Sequence, residues 1–140
     1  MIGNLNHIGV ATPSLADSVR LYRDVLGATS IGEPFDLPAQ GVKVCFIDTP
    51  TAQIELIEPF DDTSPIMGFL AKNPKGGQHH VCFEVEDIGA AVSEMRAKGV
   101  TILGTGEPRI GAHGTPVVFL HPKEMGGVLI ELMERVKGDH

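Results

Sequence analysis

The feature that most limits the folds open to this chain is an internal repeat. His7-Ile8-Gly9-Val10 parallels His80-Val81-Cys82-Phe83, and Ile54-Glu55-Leu56-Ile57-Glu58 parallels Ile130-Glu131-Leu132-Met133-Glu134. The His-to-Glu separations, 55 − 7 = 48 and 131 − 80 = 51, are nearly equal. Between these landmarks one order of elements reads out twice: strand, helix, strand, strand, strand. In the first half, residues 7–11 alternate as a strand. Ser14, with Asp17 three residues on, resembles a capping box. It opens a helix with Leu15, Val19, Tyr22 and Leu26 on its apolar face and Gly27 at its end. Strands are predicted over 28–32, 42–47 and 52–58, with a breaker-rich loop at 34–41.

Ser64-Pro65 starts a connecting helix that presents Ile66, Phe69 and Leu70. The pattern then restarts. Residues 80–85 form a strand, and Asp87 caps a helix with Ile88, Ala91, Val92 and Met95 on one face. Strands at 100–103, 115–120 and 127–133 follow, with a glycine-rich loop over 104–114. The expectation is an α+β fold in one domain, 1–140. Module one spans about 4–59, the connecting helix about 64–74, and module two about 77–134. Two such tandem βαβββ modules are expected to pack about a pseudo-twofold axis and form a curved mixed sheet around a metal site.

Alternation also assigns faces. Val81, Phe83 and Val85 point one way, and His80, Cys82 and Glu84 the other. In the first repeat Ile8 and Val10 oppose His7, Gly9 and Ala11. Glu55 and Glu131 each stand between aliphatic residues, where a carboxylate is costly to bury alone. A lone strand histidine, or a lone glutamate among aliphatics, is ordinarily packed or solvated. The recurrence of both at matching places singles these four out. Two imidazoles and two carboxylates on one floor suit a divalent transition ion and leave positions open for water or substrate. His79 points to the opposite face from His80.

Composition narrows the partners. A net charge of −7 argues against nucleic acid. The apolar runs are too short to span a bilayer, which argues against a membrane protein. Met1-Ile2-Gly3-Asn4 has neither the basic start nor the apolar core of a signal peptide. Cys45 and Cys82 both fall in strand-like runs and are expected to be small buried side chains, not a disulfide. A soluble cytoplasmic protein is the expectation.

These residues resemble the vicinal oxygen chelate superfamily, which includes glyoxalase I, ring-opening dioxygenases and fosfomycin-resistance proteins. The resemblance runs from Leu5 to Glu134. It is most specific in Ile110-Gly111-Ala112-His113-Gly114-Thr115-Pro116-Val117-Val118-Phe119-Leu120-His121-Pro122-Lys123 and in Gly126-Gly127-Val128-Leu129-Ile130-Glu131-Leu132. Leu5-Asn6-His7, Ser64-Pro65-Ile66, Phe69-Leu70-Ala71-Lys72-Asn73 and His79-His80 also match. Within the superfamily these runs are most similar to the acyl-CoA epimerases.

The resemblance implies His7, His80 and Glu131 as metal ligands, with Glu55 at a fourth position that is Gln in some members. It implies Glu131 as a catalytic acid/base. It further implies one divalent ion, Co²⁺ first with Mn²⁺, Ni²⁺ or Zn²⁺ as alternatives, a small acyl-CoA substrate, and a homodimer. Some members carry a second catalytic glutamate after a Gln-Gly-Val turn. Aligning Gln40-Gly41-Val42 with that turn puts Val44 there, and valine cannot move a proton. Glu55 is therefore assigned the second acid/base role. Lys123, His113, Gly114 and Arg109 are the expected substrate contacts, with Lys72 and Lys75 as further candidates for the CoA phosphates.

The chemistry suits a malonyl thioester, whose C2 hydrogen lies between a carboxylate and a thioester carbonyl. Chelation of both oxygens stabilises an enolate, while protein groups take and return the proton. Two alternatives share the scaffold: a glyoxalase I-type lyase acting on a glutathione hemithioacetal, and a non-catalytic drug-sequestering protein.

Overall fold

A computed structural model describes residues 1–137. The chain forms two compact units, one of residues 7–79 and one of residues 1–6 with the chain from His80 onward. Both are α+β and are built alike.

In the first repeat, β1 (Leu5–Ala11) leads into α1 (Leu15–Arg20), then β2 (Phe35–Leu37), β3 (Val42–Asp48) and β4 (Gln53–Pro59). Their order across the sheet is β2-β3-β4-β1. Parallel pairing of β1 with β4 sets Gly9 beside Glu55, and antiparallel pairing of β3 with β4 sets Phe46 on the other side of Glu55. Parallel neighbours need a long crossover, and α1 begins the one from β1 to β4. It covers one face of the sheet with Leu15 and Val19, over Val10, Cys45, Ile47, Ile54 and Leu56. The opposite face carries Ala11, Val42, Val44, Phe46 and Ile57, packed with Ile66 and Phe69 from the segment around α2 (Met67–Lys72).

The second repeat runs β5 (Gly77–Val85), α3 (Ile88–Ala97), β6 (Arg109–Ile110), β7 (Pro116–Leu120) and β8 (Ile130–Glu134), in the sheet order β5-β8-β7-β6. Its parallel pair sets Cys82 beside Glu131, and its antiparallel pair sets Phe119 on the other side. The apolar face of α3 packs on Phe83, Val85, Val118, Leu120, Ile130 and Leu132. Cys82, Val117, Phe119 and Met133 cluster on the other face. The face assignments read from alternation hold in both halves. Both cysteines are free and buried.

Four local expectations are corrected. The strands predicted at 28–32 and 100–103 shrink to single bridges, Ile31 with Ile47 and Ile102 with Leu120. The second strand of each repeat is instead β2 or β6, inside a stretch read as loop. Edge strands of three and two residues are too short for a period-two pattern to show. The first helix widens after Arg20 into a π-helix, Leu21–Val25, where the Leu26 N–H reaches back to Leu21 O at 3.2 Å. That wider turn rotates Leu26 out of the apolar face, and it is 65% exposed. Ser14 accepts from the Asp17 N–H as expected, but the Asp17 carboxylate pairs with Arg20, so the capping box is one-sided. Finally, α2 starts at Met67, after a turn closed by the Met67 N–H on Ser64 O.

Candidate metal centre

Each unit holds one buried His–Glu pair. In the first, His7 lies two residues before Gly9, so its side chain shares a face with that of Glu55. His7 Nε2 stands 3.2 Å from Glu55 Oε2. In the second, His80 lies two residues before Cys82, and its Nε2 stands 3.2 Å from Glu131 Oε1. All four residues are between 1% and 6% exposed. The repeat seen in the sequence thus reappears as one geometry: the same strand positions, the same register offset and the same separation.

The immediate neighbours are aromatic. Phe46 flanks Glu55 and Phe119 flanks Glu131 across the antiparallel ladders. The Phe119 and His80 rings meet edge to face, with centroids 5.5 Å apart. Two donors that each lie ~2.1 Å from one ion are ~3.0 Å apart at a right angle and ~3.4 Å apart at the tetrahedral angle. The observed 3.2 Å separations fall in that interval. Imidazole nitrogen with carboxylate oxygen also suits a borderline divalent ion. The residues present therefore fit a divalent metal. Cys45 is no competitor: burial, reinforced by Glu33, pushes its thiol pKa up, and its Sγ lies 3.3 Å from Gly32 O.

The strands that carry the pairs are tied to the helices. The Glu58 carboxylate accepts from the Leu15 N–H at 2.8 Å, and the Glu134 carboxylate accepts from the Ile88 N–H at 3.2 Å. Each cap lies three residues beyond a pair glutamate, on the opposite face. Sequence reasoning missed this role, although Glu58 and Glu134 recur at matching places in the repeated pentapeptides.

The remaining site candidates fall in three places. Arg109 lies on β6 beside Val117, and His113 and Gly114 lie in the turn between β6 and β7. Gly114 has φ +80 and donates to Gly111 O at 3.0 Å, a backbone shape that favours glycine. Lys123 lies at the far end of β7, in the 3-10 turn Pro122–Glu124. Its N–H donates to His121 Nδ1 at 3.0 Å, while its side chain is 61% exposed. Glu124 fixes this turn by accepting from the Thr101 N–H at 2.6 Å. Lys72 and Lys75 are exposed in the other unit. Val44 is fully buried beside Ile57, in a cluster with Ile66.

Residues 6–119 match the family model described as the Glyoxalase/Bleomycin resistance protein/Dioxygenase superfamily, and the chain belongs to that superfamily. Its relatives narrow the class to acyl-CoA epimerases. It is 54% identical over 132 residues to the ethylmalonyl-CoA/methylmalonyl-CoA epimerase of Cereibacter sphaeroides, covering 94% of this chain and 98% of the relative. It is 47% identical to the mitochondrial methylmalonyl-CoA epimerase of Homo sapiens, over 94% of this chain and 73% of that protein. Among solved structures, a variant of the Streptomyces coelicolor methylmalonyl-CoA epimerase in complex with 2-nitronate-propionyl-CoA matches with a TM-score of 0.89. That match has 33% identity and covers 100% of this chain and 99% of the other. A methylmalonyl-CoA epimerase in complex with methylmalonyl-CoA and NH4+ matches with a TM-score of 0.87 at 34% identity, over 98% and 97%. The chain shares the α+β fold of these enzymes.

Proposed function

We propose that this protein is an isomerase that interconverts the (R) and (S) epimers of methylmalonyl-CoA. The observation that carries the reading is the duplicated pair: His7 with Glu55 and His80 with Glu131, each at 3.2 Å and buried, in a chain 54% identical to an epimerase of this class. His7, Glu55, His80 and Glu131 are the residues that would hold one divalent ion, Co²⁺ first, with Mn²⁺, Ni²⁺ and Zn²⁺ as alternatives. Bound there, that ion would supply Lewis-acid stabilisation of the negative charge that develops on the substrate when the C2 proton leaves.

The protein's own groups move the proton. Glu131 takes the C2 hydrogen from one side of the substrate or returns it there, and Glu55 does the same on the other. Val44 offers no base and is sealed in the core. A carboxylate at Glu55 therefore supplies the second acid/base. Phe46 and Phe119 flank the two carboxylates across the antiparallel ladders. Arg109, His113, Gly114 and Lys123 serve the substrate, with the cations placed for CoA phosphates. Among the described residues, no helix is long and apolar enough to cross a membrane. The working form is a cytoplasmic homodimer.

The test is C2 proton exchange of methylmalonyl-CoA in heavy water, followed by proton NMR. Deuterium should enter at C2 in the metal-loaded protein, together with interconversion of the epimers. Absence of exchange by metal-loaded, folded protein would refute the assignment. Ethylmalonyl-CoA, named with methylmalonyl-CoA for the Cereibacter relative, is the second substrate for the same assay.

A further inference from the structure

Among the described residues, one buried side-chain polar atom has no hydrogen-bond partner in the protein, and it is Thr115 Oγ1. Such an atom normally finds a partner, and leaving it alone is costly. The cost is avoidable in principle, because valine has the same shape without the hydroxyl.

The position of Thr115 suggests what the hydroxyl is for. Thr115 ends the turn that holds His113 and Gly114, and its carbonyl accepts from the Gly111 N–H at 2.9 Å. It precedes β7, where Val117 and Phe119 lie on the same face as Cys82 and Met133. Thr115 sits in the bend immediately before β7, next to the face that Val117 and Phe119 share with His80 and Glu131. Phe119 is the residue beside Glu131. Thr115 lies four residues further along, or ~13 Å at ~3.3 Å per residue. An acyl-CoA thioester reaching from the acid/base carboxylate along this strand spans ~1.2–1.3 Å per bond. Five bonds from C2 bring its first amide nitrogen to ~6 Å, and nine bonds bring the second to ~11–12 Å. The second amide of the pantetheine arm is thus the substrate group that matches Thr115.

We propose that the Thr115 hydroxyl is a hydrogen-bonding partner for the second amide of the substrate's pantetheine arm, a contact made only when acyl-CoA is bound. This rests on the epimerase reading and adds a residue that selects the length of the thioester arm. It also explains why a hydroxyl is kept where the free protein gives it no partner.

The experiment compares two methylmalonyl thioesters: the full CoA ester, and the N-acetylcysteamine ester, which ends at the first amide. In wild-type protein, kcat/KM for exchange should favour the CoA ester. Thr115→Val should reduce that preference roughly three- to tenfold, the range for one lost neutral hydrogen bond. Thr115→Ser, which keeps the hydroxyl, should restore it. Thr115→Val should also leave the Tm equal or higher, because no internal bond is lost. An unchanged preference in a folded Thr115→Val protein overturns the proposal. So does a lowered Tm with unchanged kinetics, which would mark a structural hydroxyl. Wild-type protein that exchanges neither ester overturns the epimerase reading and this inference with it, whereas an active wild type with an indifferent Thr115→Val overturns the inference alone.

Discussion

The Glu58 carboxylate accepts a 2.8 Å hydrogen bond from the backbone N–H of Leu15 and so ties the strand bearing Glu55 to the first turn of α1. Glu134 does the same for the strand bearing Glu131, through the Ile88 N–H at 3.2 Å. In both repeats a helix N-terminus, which needs acceptors for its first N–H groups, is anchored to the strand that bears the glutamate of a buried His–Glu pair. Glu58→Ala should therefore lower stability by about 1–2 kcal/mol, the usual cost of a lost cap. Glu134→Ala, which breaks a longer bond, should cost about 1 kcal/mol. Urea denaturation of the two variants checks both values. Stabilities within error of wild type would show that the caps are replaced by water.

Metal dependence is the second prediction. Exhaustive chelation should abolish C2 exchange, and Co²⁺ or Mn²⁺ should restore it. His7→Ala and His80→Ala should each lower metal content after equilibration with Co²⁺, since each removes one imidazole donor without replacing it. The matched geometry of the two pairs predicts similar losses for the two variants. Elemental analysis of the purified proteins gives the answer, and stoichiometric metal in both variants would exclude these histidines as ligands.

Lys123 carries the third prediction. Its ammonium group is largely exposed, and its nearest acidic neighbour, Glu124 Oε2, is 4.0 Å away. Such a surface pair contributes little to stability. Lys123→Ala should leave the Tm within about a degree. It should raise KM for the CoA ester several-fold, and the difference from wild type should shrink as salt screens the phosphates. A large drop in Tm with unchanged KM would make Lys123 structural.

Much of the site was legible in the sequence because period-two alternation leaves little freedom. Once 7–11 and 80–85 are strands, His7 and His80 must oppose the helix-covered face, and Glu55 and Glu131 are placed by the same rule. Asp87 was equally legible, since an N-cap acceptor followed by an apolar helical face is a local signal; its carboxylate accepts from the Ala90 N–H at 2.9 Å. What escaped was set by tertiary context. Phe35–Leu37 and Arg109–Ile110 become strands because an adjacent edge offers them hydrogen bonds, not because their own pattern asks for it. Nothing in the spacing of Tyr22 and Leu26 signals a π-turn. The caps by Glu58 and Glu134 join residues 43 and 46 positions apart, and no local rule links such residues.

The most direct measurement is deuterium exchange of each epimer separately by Glu55→Gln protein. Glutamine keeps an oxygen donor for the metal but cannot accept the C2 proton. The variant should therefore retain its metal and lose epimerisation by roughly 10²–10⁴. Deuterium should still enter the epimer whose hydrogen faces Glu131 and hardly enter the other, and Glu131→Gln should reverse the preference. If Glu55→Gln protein holds its metal and still exchanges both epimers at near wild-type rates, Glu55 is only a ligand, and the two-carboxylate account is wrong.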